Sequence, residues 1–121
     1  MRRRAKVDLN QRTLVAAFRK LGCDVLHTHT LGKGYPDCFV AYAGLWLAIE
    51  IKGEKGKLSD AQESLYGKLR TQPRIVRNVE DVSATVATLR RWHVAISSYK
   101  QHLTQDNNDT RIRIITTTEE Q

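Results

Sequence analysis

With 121 residues, 40% of them apolar and 27% charged, the chain has room for one hydrophobic core and the composition of a soluble globular protein. Twenty Lys and Arg against thirteen Asp and Glu leave a net charge of +7, dense at Arg2-Arg3-Arg4 and Lys6 and again at Lys52, Lys55 and Lys57, which favours a polyanionic partner. The longest apolar stretch is too short and too broken for a membrane span, no secretory signal is visible, and two cysteines without Cys/His spacing fit a reducing, cytoplasmic compartment rather than a disulfide framework or a zinc site.

Residues 9–21 carry Leu14, Val15, Phe18 and Leu21 on one face and predict an amphipathic helix, with Asp8 as its N-cap and Gly22 as its stop. Residues 23–30, rich in Val and Thr, read as a strand along which His27 and His29 alternate onto one face. Those histidines are ordinary strand residues on one reading, and lean toward a site or DNA on another. A glycine loop over residues 31–35 presents Lys33. Two apolar runs, residues 38–42 and 45–49, are split by the turn signal Ala43-Gly44 and form a hairpin. After a polar loop over residues 53–57, the spacing of Leu58, Ala61, Gln62, Leu65, Tyr66 and Leu69 predicts a helix capped by Ser59. Residues 75–79 read as a further strand and residues 80–92 as a last helix, with Val82, Val86 and Leu89 inward. Beyond Trp92, residues 105–110 read as a polar loop and residues 111–118 as strand-like. The order α-β-β-β-α-β-α predicts an α/β (α+β) mixed sheet flanked by helices.

Period-2 alternation puts Leu45, Leu47, Ile49 and Ile51 on one face of the second hairpin strand, with Trp46, Ala48, Glu50 and Lys52 on the other. Glu50 and Lys52 then emerge at the strand's end, and Asp37 stands at the start of its hairpin neighbour. Two carboxylates and an ammonium therefore meet at one spot. Close carboxylates repel unless a cation neutralises them, and their oxygens suit Mg²⁺ or Mn²⁺. Such a set equips a protein for metal-assisted phosphodiester hydrolysis; the bland reading is an ion pair at a strand end. Glu50 shares its face with Trp46 and Ala48, and a carboxylate buried there needs a cation or a donor.

The Pro36-Asp37 and Glu50-Ile51-Lys52 pair, with Gly32-Lys33-Gly34-Tyr35 before the acid and Leu58-Ser59 and Gln62 after the lysine, resembles the PD-(D/E)XK nucleases. It is most similar to the small stand-alone virus-type replication-repair (VRR-NUC) branch common in phages. The resemblance covers roughly residues 8–89 and implies a restriction-endonuclease-like core. It implies that Asp37 and Glu50 hold the metal with the backbone carbonyl of Ile51, and that Lys52 serves the attacking water. Many relatives complete the metal shell from a first-helix glutamate; this chain has Asn10 and Gln11 there, either of which offers a neutral oxygen. Gln62-x-x-x-Tyr66 resembles the fourth motif of RecB-like nucleases, giving Gln62 a place at the site and Tyr66 one beside DNA, while Ser59-x-x-Gln62 also matches a capping box. Arg2, Arg3, Arg4, Lys33, Lys55 and Lys57 are the expected phosphate contacts. Trp46 and Tyr35 offer stacking surfaces, with packing the preferred reading.

The domain reading is a nuclease domain over residues 1–93 with a basic N-terminal arm, and a C-terminal extension over residues 94–121. The expected activity is Mg²⁺- or Mn²⁺-dependent DNA endonuclease cleavage, selective for branched or Holliday-junction-like DNA, by a homodimer in phage DNA replication, repair, recombination or packaging. Such a protein would be cytoplasmic, either phage-encoded and working in a bacterial host or bacterial itself. The alternatives are a nickase or flap nuclease subunit of a larger complex, a DNA-binding module without turnover, and a structural protein with some other acidic partner.

Overall fold

The computed structural model of the chain describes residues 2–119, with side chains over residues 9–108. The elements run α1 (Arg2–Lys20), β1 (Asp24–His27), a 3₁₀ turn (His29–Leu31), β2 (Cys38–Tyr42), β3 (Leu45–Ile51), α2 (Asp60–Tyr66), β4 (Arg74–Val76) and α3 (Val79–Glu119). The α-β-β-β-α-β-α order read from the sequence is the order of the molecule. The sheet has four strands in the order β1-β2-β3-β4. The first two pairings are antiparallel and β3–β4 is parallel, the return being made through α2.

Several boundaries differ from the expectations, each for a physical reason. Helix α1 begins at Arg2, because Arg, Ala and Lys propagate a helix readily. Asp8 lies inside it and is not its N-cap. Gly22 does end it: at φ 92° its N–H donates to the Arg19 carbonyl, while the Cys23 N–H donates to Phe18, a Schellman closure. Strand β1 ends at His27 rather than running to residue 30. Thr28 turns the chain out of the ladder by donating its N–H to the Asp37 carbonyl and its hydroxyl to the Pro36 carbonyl. Helix α2 stops at Tyr66, so Leu69 lies beyond it and is exposed.

The hairpin turn follows the sequence closely. Ala43 and Gly44 both have positive φ, 49° and 84°, the I′ geometry that matches strand twist. At the other end of the chain the loop and strand expected after Trp92 are absent. Helix α3 starts on the Asn78 cap, whose side chain accepts from the Asp81 N–H, and runs to Glu119. No Gly or Pro occurs after Pro73, so nothing in the backbone interrupts it.

The chain divides into two compact units, residues 1–89 and 90–121. In the first, Leu14, Val15 and Phe18 of α1 pack with Val40, Ile49, Ile51 and Val76 of the sheet and with Val82, Val86 and Leu89 of α3. The buried faces of β2 and β3 are in phase: Cys38 pairs with Ile49 and Val40 with Leu47. Glu50 belongs to the opposite face, toward α2. In the second unit Trp92, Ile96, Tyr99 and Leu103 recur at helical spacing, all exposed.

Candidate active site

One end of the sheet gathers the ends of three strands. His27 closes β1, Asp37 stands immediately before β2, and Lys52 follows β3. Asp37 is fixed from two sides. Thr28 holds its backbone as described, and its Oδ2 accepts from the Ile51 N–H at 2.7 Å. The carboxyl is thus tied directly to the strand that carries Glu50 and Lys52.

Glu50 is 2% exposed, and both of its oxygens are met by α2. Gln62 Nε2 donates to Oε1 at 2.6 Å, and the Tyr66 hydroxyl donates to Oε2 at 3.0 Å. Lys52 Nζ stands 3.6 Å from Oε1. Gln62 makes both contacts that the sequence offers it, the capping box and a hydrogen bond to Glu50. Its Oε1 accepts from the Ser59 N–H at 2.9 Å, closing the box, while its amide N–H₂ serves Glu50. A single amide thereby couples the start of α2 to the carboxylate.

Burial first, and then the neighbouring charge of Asp37 and a hydrogen bond to it, push the Glu50 carboxyl from 4.5 up to about 7; Tyr66 and Lys52 pull the other way. The same surroundings push the Tyr66 phenol up, burial leading and the Glu50 charge following. Cys38, facing the core, is pushed up to about 12 by burial and by Asp37 and Glu50, so its thiol is not a nucleophile. Two facing carboxyls that resist joint ionisation form an oxygen donor set short of positive charge. That set fits a hard divalent cation. Among the described residues no group of three or more His, Cys, Asp and Glu side chains forms a metal cluster.

The remaining sequence-derived candidates are distributed around this centre. Asn10 Nδ2 reaches the Lys52 carbonyl at 3.4 Å, which places α1 beside the end of β3. Gln11 lines a different cleft, with Arg12 and Arg19. Lys33, at φ 53°, and Lys55 and Lys57 are exposed on the two glycine-bearing loops. Arg2, Arg3 and Arg4 sit in the first turn of α1, and their side chains lie outside the described residues. Tyr66, expected beside DNA, is instead buried with its hydroxyl on Glu50, because α2 turns that face of the helix inward. Trp46 and Tyr35, for which packing was the preferred reading, are largely exposed.

Two residues that sequence reasoning did not single out hold the site together. Thr28 straps the Pro36-Asp37 segment, a role visible only once the strand register is known. Arg77 Nη1 donates to the carbonyls of Gly53 and Gly56, both at 2.7 Å. It clamps the loop that leaves Lys52 and carries Lys55 and Lys57. A cleft of about 880 Å³ opens there, lined by Asn10, Thr13, Lys52, Lys57, Arg77 and Glu80 among others. No described helix is long and apolar enough to cross a membrane.

No protein-family model matches the chain, and no curated protein does. Among solved structures it is similar to one described as a VRR_NUC domain, at 22% identity and a TM-score of 0.51, covering 68% of this chain and 95% of that one. Over that share the chain has the fold of a VRR_NUC domain, which is the fold that the Pro36-Asp37 and Glu50-Ile51-Lys52 pattern led us to expect.

Proposed function

We propose that the protein is a nuclease that hydrolyses DNA phosphodiester bonds at the Asp37–Glu50–Lys52 centre with the help of Mg²⁺ or Mn²⁺. The observation that carries this reading is a buried carboxylate, Glu50, held rigid by Gln62 and Tyr66 with an ammonium and a second carboxyl against it. A purely structural ion pair has no need of that arrangement, since an apolar pair of equal volume costs less to bury. Asp37, Glu50 and the Ile51 carbonyl would hold the cation, with Asn10, beside the end of β3, as a neutral candidate. When bound, it neutralises the carboxylates and polarises water and phosphate oxygens. Gln62 and Tyr66 keep the Glu50 oxygens in place, and the Ile51 N–H does the same for Asp37. Lys52 sets a positive charge beside the attacking water and the crowded phosphorus, where negative charge grows during displacement.

Substrate choice belongs to the same proposal. Without a recognition helix or zinc finger in the sequence, backbone charge and DNA shape are the means of selection. Branched, junction-like DNA is the substrate that fits, and two symmetric cuts call for a homodimer. A phage role in replication, repair, recombination or packaging is consistent with that chemistry. A second reading, a DNA-binding module without turnover, is favoured by one feature: α1 presents Asn10 beside the end of β3, where an acid would strengthen the metal site.

The test is cleavage of labelled four-way junction, flap, single-stranded and linear duplex DNA with Mg²⁺, Mn²⁺ or EDTA. Metal-dependent cutting, strongest on the junction, is expected. Retention of DNA in a gel shift without cutting of any substrate would favour the binding module.

A further inference from the structure

On the α1 side of the sheet, a second cleft of about 540 Å³ is lined by Gln11, Arg12, Val15, Ala16, Arg19, His27 and His29. We propose that this cleft binds a backbone phosphate of the DNA, separate from the one that is cut. The proposal rests on the nuclease reading only for the identity of the polyanion.

Four of the seven lining side chains are basic and none is acidic. Arg12 and Arg19 are seven residues apart, so they share one flank of α1; both are exposed, and neither has an ion pair or side-chain hydrogen bond among the described residues. Two cations facing one hollow repel each other, which an anion relieves. From the opposite wall, His27 and His29 bring their rings within 5.6 Å, near perpendicular, and each ring offers an N–H donor whatever its charge. Gln11 adds an amide. Guanidinium forks and imidazole donors around one concavity suit a phosphate's oxygens.

Position makes the anion a DNA phosphate. His27 pairs with Cys38, the residue after Asp37, so the cleft opens at the same end of the sheet as the carboxylates. From the end of β1 to the end of β3 is two strand spacings, about 10 Å. A DNA strand crossing that end of the sheet passes both places. Gln11 of the cleft is the neighbour in sequence of Asn10, which touches the Lys52 carbonyl.

The experiment measures DNA affinity by fluorescence anisotropy against salt, in EDTA so that nothing is cut, for the full chain and for Arg12→Ala/Arg19→Ala. Lys68→Ala/Arg70→Ala removes the same charge from exposed positions outside the cleft. Each lost phosphate contact lowers the slope of log K against log salt by about 0.9 on duplex DNA. The cleft double variant should lose close to one such step and at least about tenfold in affinity at low salt. Its thermal melt should be unchanged, and the Lys68/Arg70 variant should keep most of the slope. An unchanged slope in the cleft variant, an equal fall in both variants, or no DNA binding by the parent protein would each overturn the proposal. A slope that falls as expected in a protein that cuts no DNA with any metal would leave the cleft standing and remove the nuclease reading.

Discussion

At the scale of single residues, Glu50 concentrates the cost of the site. Its carboxyl is ordinarily ionised above 4.5 but in the fold ionises near 7. A raised acid stabilises the fold fully below its unfolded value and loses that contribution as pH climbs through the folded one. Metal-free protein should therefore lose up to about 3 kcal/mol between pH 4.5 and pH 8 through this group. Denaturant melts of the parent and Glu50→Gln across that range measure it, since the variant lacks the pH-dependent fall. Millimolar Mg²⁺ should restore the parent at pH 8 and leave the variant unmoved; a restoration of both would place the cation elsewhere. Tyr66→Phe tests the hydroxyl. Its hydrogen bond lowers the Glu50 value, so its loss should move the fall in stability to higher pH and cost about 1–3 kcal/mol at pH 8. The carboxyl resonance followed by NMR titration reads that shift directly.

At the scale of elements, the site depends on α2 sitting tightly against the glycine loop. A Cβ at Gly34, where φ is 84°, would lie 2.5 Å from the Ala61 carbonyl oxygen. Gly34→Ala should cost on the order of 2–4 kcal/mol in a denaturant melt, whereas Gly32→Ala, with open space around it, should cost less. Arg77→Ala should free the residues 53–57 loop. Faster amide exchange confined to that loop, with the core amides unchanged, is the expected result. How much of this was legible in the sequence follows from what each feature depends on. The hairpin, the Ala43-Gly44 turn, the Gly22 stop and the pairing of Asp37 with Glu50 are set by local pattern and by period-2 alternation, which sequence displays. Thr28 and Arg77 act on carbonyls distant in sequence, and backbone carbonyls carry no residue signature. Tyr66 shares the apolar stripe of α2, which signals burial, but its place beside DNA comes from the motif resemblance, and the stripe is what the fold obeys. The strand expected after Trp92 fails because alternation over residues 111–118 is weak and no Gly or Pro interrupts the helix before it.

At the scale of the whole molecule, one end of the sheet carries the carboxylates, a clamped basic loop and a second basic hollow, and under the proposed function the net charge of +7 supplies the field that draws DNA to it. The central claim is that Lys52 and its carboxylate partners cut DNA and do not merely hold it. Single-turnover cleavage of a labelled four-way junction, with protein in excess and Mg²⁺ present, tests this in the parent and in Lys52→Ala, alongside the affinity of each for the same junction. The account predicts a rate lower by about 10²- to 10³-fold in the variant, with affinity changed only by the loss of one charge. Equal rates in the two proteins, or cutting by the parent that persists in EDTA, would contradict it.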